Sequence, residues 1–201
     1  MSDSAPRQVS QITPDPTALK ALAHPMRLRI LGLLRIEGPA TATSLAARLG
    51  LNSGATSYHL RQLAQHGFIE DDAGTGNKRD RWWRARHEFT HYLAKDAEGE
   101  ALETGLAFER AALNWQFRQM QASLEAYPGL AQPWRAASTT SDYTMVLSAE
   151  AAAELVGKIQ ALLQDASAAA PPLGGDLPEG KKPFTVILHA APHVADPGEP
   201  Q

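Results

Sequence analysis

Between Leu19 and Ala85, helix-length apolar patterns alternate with stop signals so closely that the elements have to share one small core. The segment opens LKALAHPMRLRILGLL, continues SLAARLGLNSGATSYHLRQLAQHGFIE and closes on GTGNKRDRWWRA. Thr17 to Leu22 fits a short first helix. Pro25 then stands in a first helical turn, where a missing N–H costs nothing. Met26, Leu28, Ile30, Leu31, Leu33 and Leu34 cover too broad an arc for a surface helix, so this second helix belongs in the middle of the core. It is expected to run to about Arg35, with Gly38 and Pro39 stopping it.

Thr41 or Thr43 can cap the next helix, in which Leu45, Ala46 and Leu49 form the inward stripe and Gly50 supplies a left-handed end. Asn52 or Ser53 caps the helix that follows, expected to reach His66 and stop at Gly67. Strand signals take over at Phe68 and Ile69; residues 73–77 make a turn, and Arg81 to Arg86 return. Trp82 and Trp83, adjacent on a strand, point to opposite faces, and one belongs to the core. Four helices and a ribbon in this order make a winged helix-turn-helix.

The helix over 52–66 has to satisfy two surfaces. Thr56, Leu60, Leu63 and Gly67 fall on one side and face the core. Ser53, Gly54, Ser57, Tyr58, Arg61 and Gln62 lie on the other. Arg, Gln and Ser are side chains that hydrogen-bond base edges in a major groove, and a glycine near the helix start lets the backbone approach closely. Lys78, Arg79 and Arg81 at the ribbon tip suit the flanking phosphates. The partner these features imply is double-stranded DNA.

Charge is distributed accordingly. The chain carries a net −3, yet Lys20 to Lys95 holds twelve Lys/Arg against six Asp/Glu, while the remainder holds seven against sixteen. A basic segment inside an acidic chain is the electrostatic footprint of phosphate recognition.

After residue 95 the pattern changes. Leu102, Leu106, Leu113, Phe117, Met120, Leu124 and Tyr127 recur at steps of four, seven, four, three, four and three. A helix of about thirty residues is roughly 45 Å long, and a stripe with a period near 3.5 wants a partner helix. A second subunit is the expected partner; packing on the chain's own winged helix is the alternative. Pro128 and Gly129 end the segment. Farther on, residues 143–147 (YTMVL) and 184–188 (FTVIL) read as strands around a helix capped by Ser148 and striped by Leu155, Ile159, Leu162 and Leu163. The expected fold class is therefore mainly α with small β. Residues 1–16 form a disordered tail, 17–95 a winged helix-turn-helix, 96–128 a long dimerisation helix, 129–195 a small α/β unit and 196–201 a second tail.

At this point a resemblance can be stated. The runs ALAHP (21–25), RLRIL (27–31), SLA (44–46), TSYHLRQL (56–63) and HGF (66–68) resemble the arsenic-repressor (ArsR)-like group of bacterial winged-helix transcription regulators. The resemblance covers about a third of the chain. It implies a homodimer whose recognition helices enter successive major grooves of a near-palindromic operator, usually to repress. The long helix and α/β unit look like an extension found in larger members, which would supply the dimer contact. Metal-sensing members carry a thiolate pair on the first helix of the helix-turn-helix, where this chain has SLAARL (44–49). With no cysteine anywhere, thiophilic sensing by that route is excluded.

The remaining signals are weaker. His87 and His91, and likewise His189 and His193, have a spacing that places two ligands on one helix face, but neither stretch reads as a helix, and no metal site is assigned. His24, His59 and His66 complete hydrogen bonds around helix ends. No phosphate loop, nucleophile elbow or zinc-peptidase motif is present, so neither an enzyme nor a cofactor is expected. A small-molecule effector lined by Trp115, Phe117, Tyr127 and Trp134 is one use of those aromatics, and a dimer core is the other. The competing function is a winged-helix module for protein or RNA. No apolar run reaches the length of a membrane span and no signal-peptide core begins the chain, so a cytoplasmic location is expected.

Overall fold

A computed structural model describes residues 7–74, 80–92 and 97–194. In chain order, the winged-helix part contains β1 (Gln11–Ile12), α1 (Pro16–Leu22), α2 (Pro25–Glu37), β2 (Ala40–Thr41), α3 (Ala42–Leu49), α4 (Ser53–Gln65), β3 (Ile69–Asp71), β4 (Trp82–Ala85) and β5 (Phe89–Thr90). Each helix start has a local cause. The Asp15 carboxylate accepts from the Ala18 N–H at 2.8 Å, and the His24 Nδ1 accepts from the Met26 N–H at 3.1 Å, each ahead of a proline at the first helical position. Thr41 and Ser44 cap α3 reciprocally, so Thr41 rather than Thr43 is its cap. Asn52 caps α4, accepting from the Ala55 N–H at 2.7 Å. Between these helices the chain reverses at Gly50, whose left-handed φ of 66° glycine adopts without the steric cost that a Cβ would add.

These elements bury one core. Leu22, Ile30, Leu31, Leu60, Leu63, Phe68 and Ile69 are fully buried, with Leu34, Leu45 and Trp83 around them. Each such apolar side chain contributes about 1.5–3 kcal/mol of burial. Trp83 is the inward tryptophan of the pair and Trp82 is half-buried. Strand β4 lies between β2 and β3 in an antiparallel sheet, pairing Ala40 and Asp71 with Trp83 and Ile69 with Ala85. Residues 75–77 of the expected ribbon turn lie outside the described residues. Helix α2 runs two residues past Arg35 before Gly38.

The reading of 1–16 as a disordered tail needs correction over its described part. Gln11 and Ile12 pair in parallel with Phe89 and Thr90, and the Arg7 guanidinium holds the Glu88 carboxylate through two 2.7 Å bonds. A two-residue ladder leaves no alternation for sequence reading to detect.

Helix α5 (Gly99–Ala126) follows, ending in a 3₁₀ turn at Tyr127–Gly129. It packs against α1 and α2. The Tyr92 ring stands over Gly105 so closely that any Cβ there would collide with it, and the Trp115 indole lies over Gly32. Tyr92 and Phe108 meet edge to face at 5.8 Å. Beyond it come α6 (Gln132–Ala137) and α7 (Ala149–Ala169). Ser148 caps α7 as expected, with its side chain accepting from the Ala151 N–H.

The C-terminal unit differs from the expected α/β arrangement. Residues 143–147 and 184–188 adopt no regular structure and belong to no ladder among the described residues, so the strands expected there are not formed among those residues. Alternation makes a segment fit for a sheet; it does not supply the neighbour that satisfies its backbone. The tail read at 196–201 lies outside the described residues.

Candidate nucleic-acid interface

Helix α4 is fixed by its inner face. Thr56, Leu60 and Leu63 are fully buried, and the Thr56 hydroxyl donates to the Asn52 carbonyl at 3.1 Å, so no polar atom is stranded there. Its outer face presents Ser53, Gly54, Tyr58 and Arg61 to solvent, with Ser57 and Gln62 half-buried beside them. No acidic residue occurs in the helix. The Arg61 Nε donates to the Ser57 carbonyl one turn back at 3.2 Å, and among the described residues no carboxylate pairs with its guanidinium.

The wing presents its cations differently. The Arg81 Nε donates to the Asp71 carboxylate at 2.7 Å, and its guanidinium lies 4.1 Å above the Trp83 ring. Arg84 and Arg86 share the Glu70 carboxylate at 2.7 and 3.3 Å. Such exposed pairs are worth about 0–1 kcal/mol and exchange readily for phosphate. Lys78 and Arg79 lie outside the described residues.

One group escaped sequence reading. His24, at the start of α2, and His59, on α4, have ring centroids 4.8 Å apart, with Tyr58 edge-on to His59 at 5.5 Å. Arg27 completes the cluster, and neither its Nε nor the His59 Nδ1 has a hydrogen-bond partner among the described residues. Burial, reinforced by the Arg27 charge, holds both imidazoles below the ordinary histidine pKa; the neighbouring His24 adds to the effect at His59. Burial also lowers Arg27. The available signal was a cation with no acid within a turn of it, masked by the surrounding leucines.

Other expected sites are dispersed. His87 and His91 flank the strand β5 and His189 and His193 lie outside any helix, so neither pair shares a helix face. The four aromatics proposed to line an effector pocket do not converge. Trp115 packs on Gly32, Trp134 stacks near Phe184 at 6.5 Å, and Phe117 and Tyr127 are exposed. Leu102, Leu106, Leu113, Phe117, Met120 and Leu124 on α5 are all exposed, from 37% to 72%.

Residues 22–72, from the end of α1 to the first wing strand, match the family model described as a helix-turn-helix domain. The segment is a helix-turn-helix domain. It is 39% identical over 69 residues to the HTH-type transcriptional regulator NmtR of Mycobacterium tuberculosis, an alignment covering 34% of this chain and 57% of the relative. Over 52 residues it is 40% identical to the HTH-type transcriptional regulator YgaV of Escherichia coli, covering 26% and 52%. The chain thus spans little more than half the length of the curated relatives it matches. Among solved structures it is similar to an ArsR-like transcriptional regulator from Rhodococcus sp. RHA1, at 26% identity over 55% of this chain and 92% of that one, with a TM-score of 0.30. ZitR of Lactococcus lactis shows 16% identity over 76% and 83%, also with a TM-score of 0.30. Superpositions this loose leave the placement of α5 and α7 to the chain's own contacts. Among the described residues no helix is long and apolar enough to cross a membrane.

Proposed function

We propose that the protein is a sequence-specific regulator of transcription that binds double-stranded DNA as a homodimer. Helix α4 would lie in the major groove and the wing on the adjoining backbone. The observation that carries this is the outer face of α4: an acid-free surface whose Arg61 has no carboxylate partner among the described residues, on a helix locked to the core by Thr56, Leu60 and Leu63. A guanidinium without a carboxylate partner is free for a guanine edge, and the exposed Ser53, Gly54 and Tyr58 together with Ser57 and Gln62 border it. Arg81 can trade Asp71 for a phosphate, and Lys78 and Arg79 are assigned the same role from sequence.

Dimerisation is proposed through α5. Its six exposed apolar side chains, Leu102, Leu106, Leu113, Phe117, Met120 and Leu124, form one stripe that a second copy of the helix would cover. Two copies would present two recognition helices to a near-palindromic operator, with repression as the expected outcome.

The test is a salt series of binding to DNA from upstream of the protein's own gene and to a random duplex. Tight upstream-specific binding with a steep negative salt slope supports the proposal. No binding to either at low salt favours the protein- or RNA-interaction reading.

A further inference from the structure

The far end of α2 from the His24–His59 cluster carries a different feature. There the base of the wing, the chain before β1 and the loop after α7 border a cavity of about 250 Å³ that is open to solvent on one side. Arg35 forms part of its wall. The Arg35 Nε donates to the His87 carbonyl at 2.8 Å and its Nη2 to the Thr90 hydroxyl at 2.9 Å, both neutral acceptors. The residue is half-buried, and desolvation pulls its pKa down to about 10. Among the described residues no carboxylate pairs with it, and charges withdrawn from water are ordinarily paired.

Nearby acids are committed elsewhere. Glu88 accepts two hydrogen bonds from the one Arg7 guanidinium, and Glu70 is shared by Arg84 and Arg86. Asp72 also lines the wall; even with it counted, the four guanidiniums of Arg7, Arg35, Arg84 and Arg86 outnumber the three carboxylates. Burial, together with Arg86 and Arg35, holds His87 below its ordinary pKa, so it adds no charge at neutral pH. Leu34, Pro39, Ala85 and Leu173 supply apolar wall on the same cavity.

We infer that this cavity binds a small organic carboxylate, its anionic end on the Arg35 guanidinium and an apolar body against Leu34, Pro39, Ala85 and Leu173. Size is consistent with a single ring, since a cavity of roughly 150 Å³ accommodates benzene. The anion supplies the counter-charge that Arg35 lacks, and a charge-assisted pair in a recessed site is stronger than one in open water. The walls join the wing base to the C-terminal loop, so an occupant would hold those two parts together. Any effect of this on operator affinity rests on the DNA-binding reading; the binding itself does not.

The experiment uses the full chain with benzoate as the probe, benzamide as its uncharged isostere and sodium chloride at matched ionic strength. Benzoate is expected to bind saturably in the millimolar range or tighter and to raise Tm, with benzamide and chloride inert. Arg35→Gln keeps a donor but loses the charge, and is expected to weaken benzoate by about tenfold or more. Lys158→Gln, which removes a cation from the exposed face of α7, is expected to bind as the parent does. Equal binding of benzoate and benzamide, unchanged binding to Arg35→Gln, or no saturable binding of benzoate overturns the inference. Should Arg35→Gln fail to fold, the Arg35 Nε–H resonance of the unmodified protein decides instead. Movement during the benzoate titration supports the site, and a static resonance while Tm rises overturns it.

Discussion

Arg61 and Leu60 are neighbours on α4, and they are expected to fail in opposite ways when truncated. Arg61 is exposed, bonded only to its own helix and free of any ion pair among the described residues, so Arg61→Ala removes little that the fold uses. Its effect on unfolding is expected to stay within about 0.5 kcal/mol. A bidentate arginine–guanine contact is worth about 1–3 kcal/mol, so operator affinity is expected to fall by about 5- to 150-fold while binding to random duplex falls far less. Leu60 is fully buried between α4 and the core, and Leu60→Ala forfeits its burial and leaves a cavity, about 2–5 kcal/mol in such sites. Urea unfolding monitored by circular dichroism gives the stability arm, and fluorescence anisotropy on the two duplexes at fixed salt gives the binding arm. An Arg61→Ala protein that lost stability while keeping its preference for the upstream duplex would refute the assignment of this face to DNA.

Three further outcomes follow from the same geometry. His24 and His59 are held neutral in the fold by burial and Arg27, whereas the unfolded chain takes up their protons near pH 6.5. The unfolded state therefore binds more protons below that pH, and the urea midpoint is expected to fall as pH drops from about 6.5 toward the lowered folded values. Replacing both histidines by Gln is expected to flatten that slope, leaving the part due to His87; an unchanged slope would contradict the mechanism. Asn52→Ala removes the α4 cap and is expected to cost about 1 kcal/mol, with Asn52→Asp retaining most of it, both read by urea unfolding. Phe117→Asp, in the middle of the exposed α5 stripe, is expected to convert a dimer to a monomer in light scattering with little change in helix content. A parent protein that already runs as a monomer at every concentration would dispose of the α5 interface.

The helix-turn-helix was readable because its signals are local. Proline at a first turn, Asn52 bonding three residues ahead and Gly50 at a left-handed φ each act within one turn of chain, and the apolar spacing of Leu45, Leu49, Leu60 and Leu63 selects the inward face. The outward face of α4 follows by subtraction. The His24–His59–Arg27 cluster was harder to read, because it joins the start of one helix to the middle of another.

The longer-range features show the limit most clearly. Local sequence was enough to show where α1 to α4 begin, which side of α4 is buried and that α5 carries an apolar stripe, since each is a property of a few consecutive residues and their periodicity; the last two residues of α2 and the short α6 were not legible. The tertiary structure alone settled that Gln11–Ile12 would pair with Phe89–Thr90, that Trp83 rather than Trp82 would enter the core, and that Arg35 would be half-buried on two neutral acceptors. It also left the strand-like runs at 143–147 and 184–188 without a ladder partner among the described residues. A helix satisfies its backbone from within, so its own residues suffice to specify it; a strand, an ion pair and a buried charge depend on what the rest of the chain brings alongside.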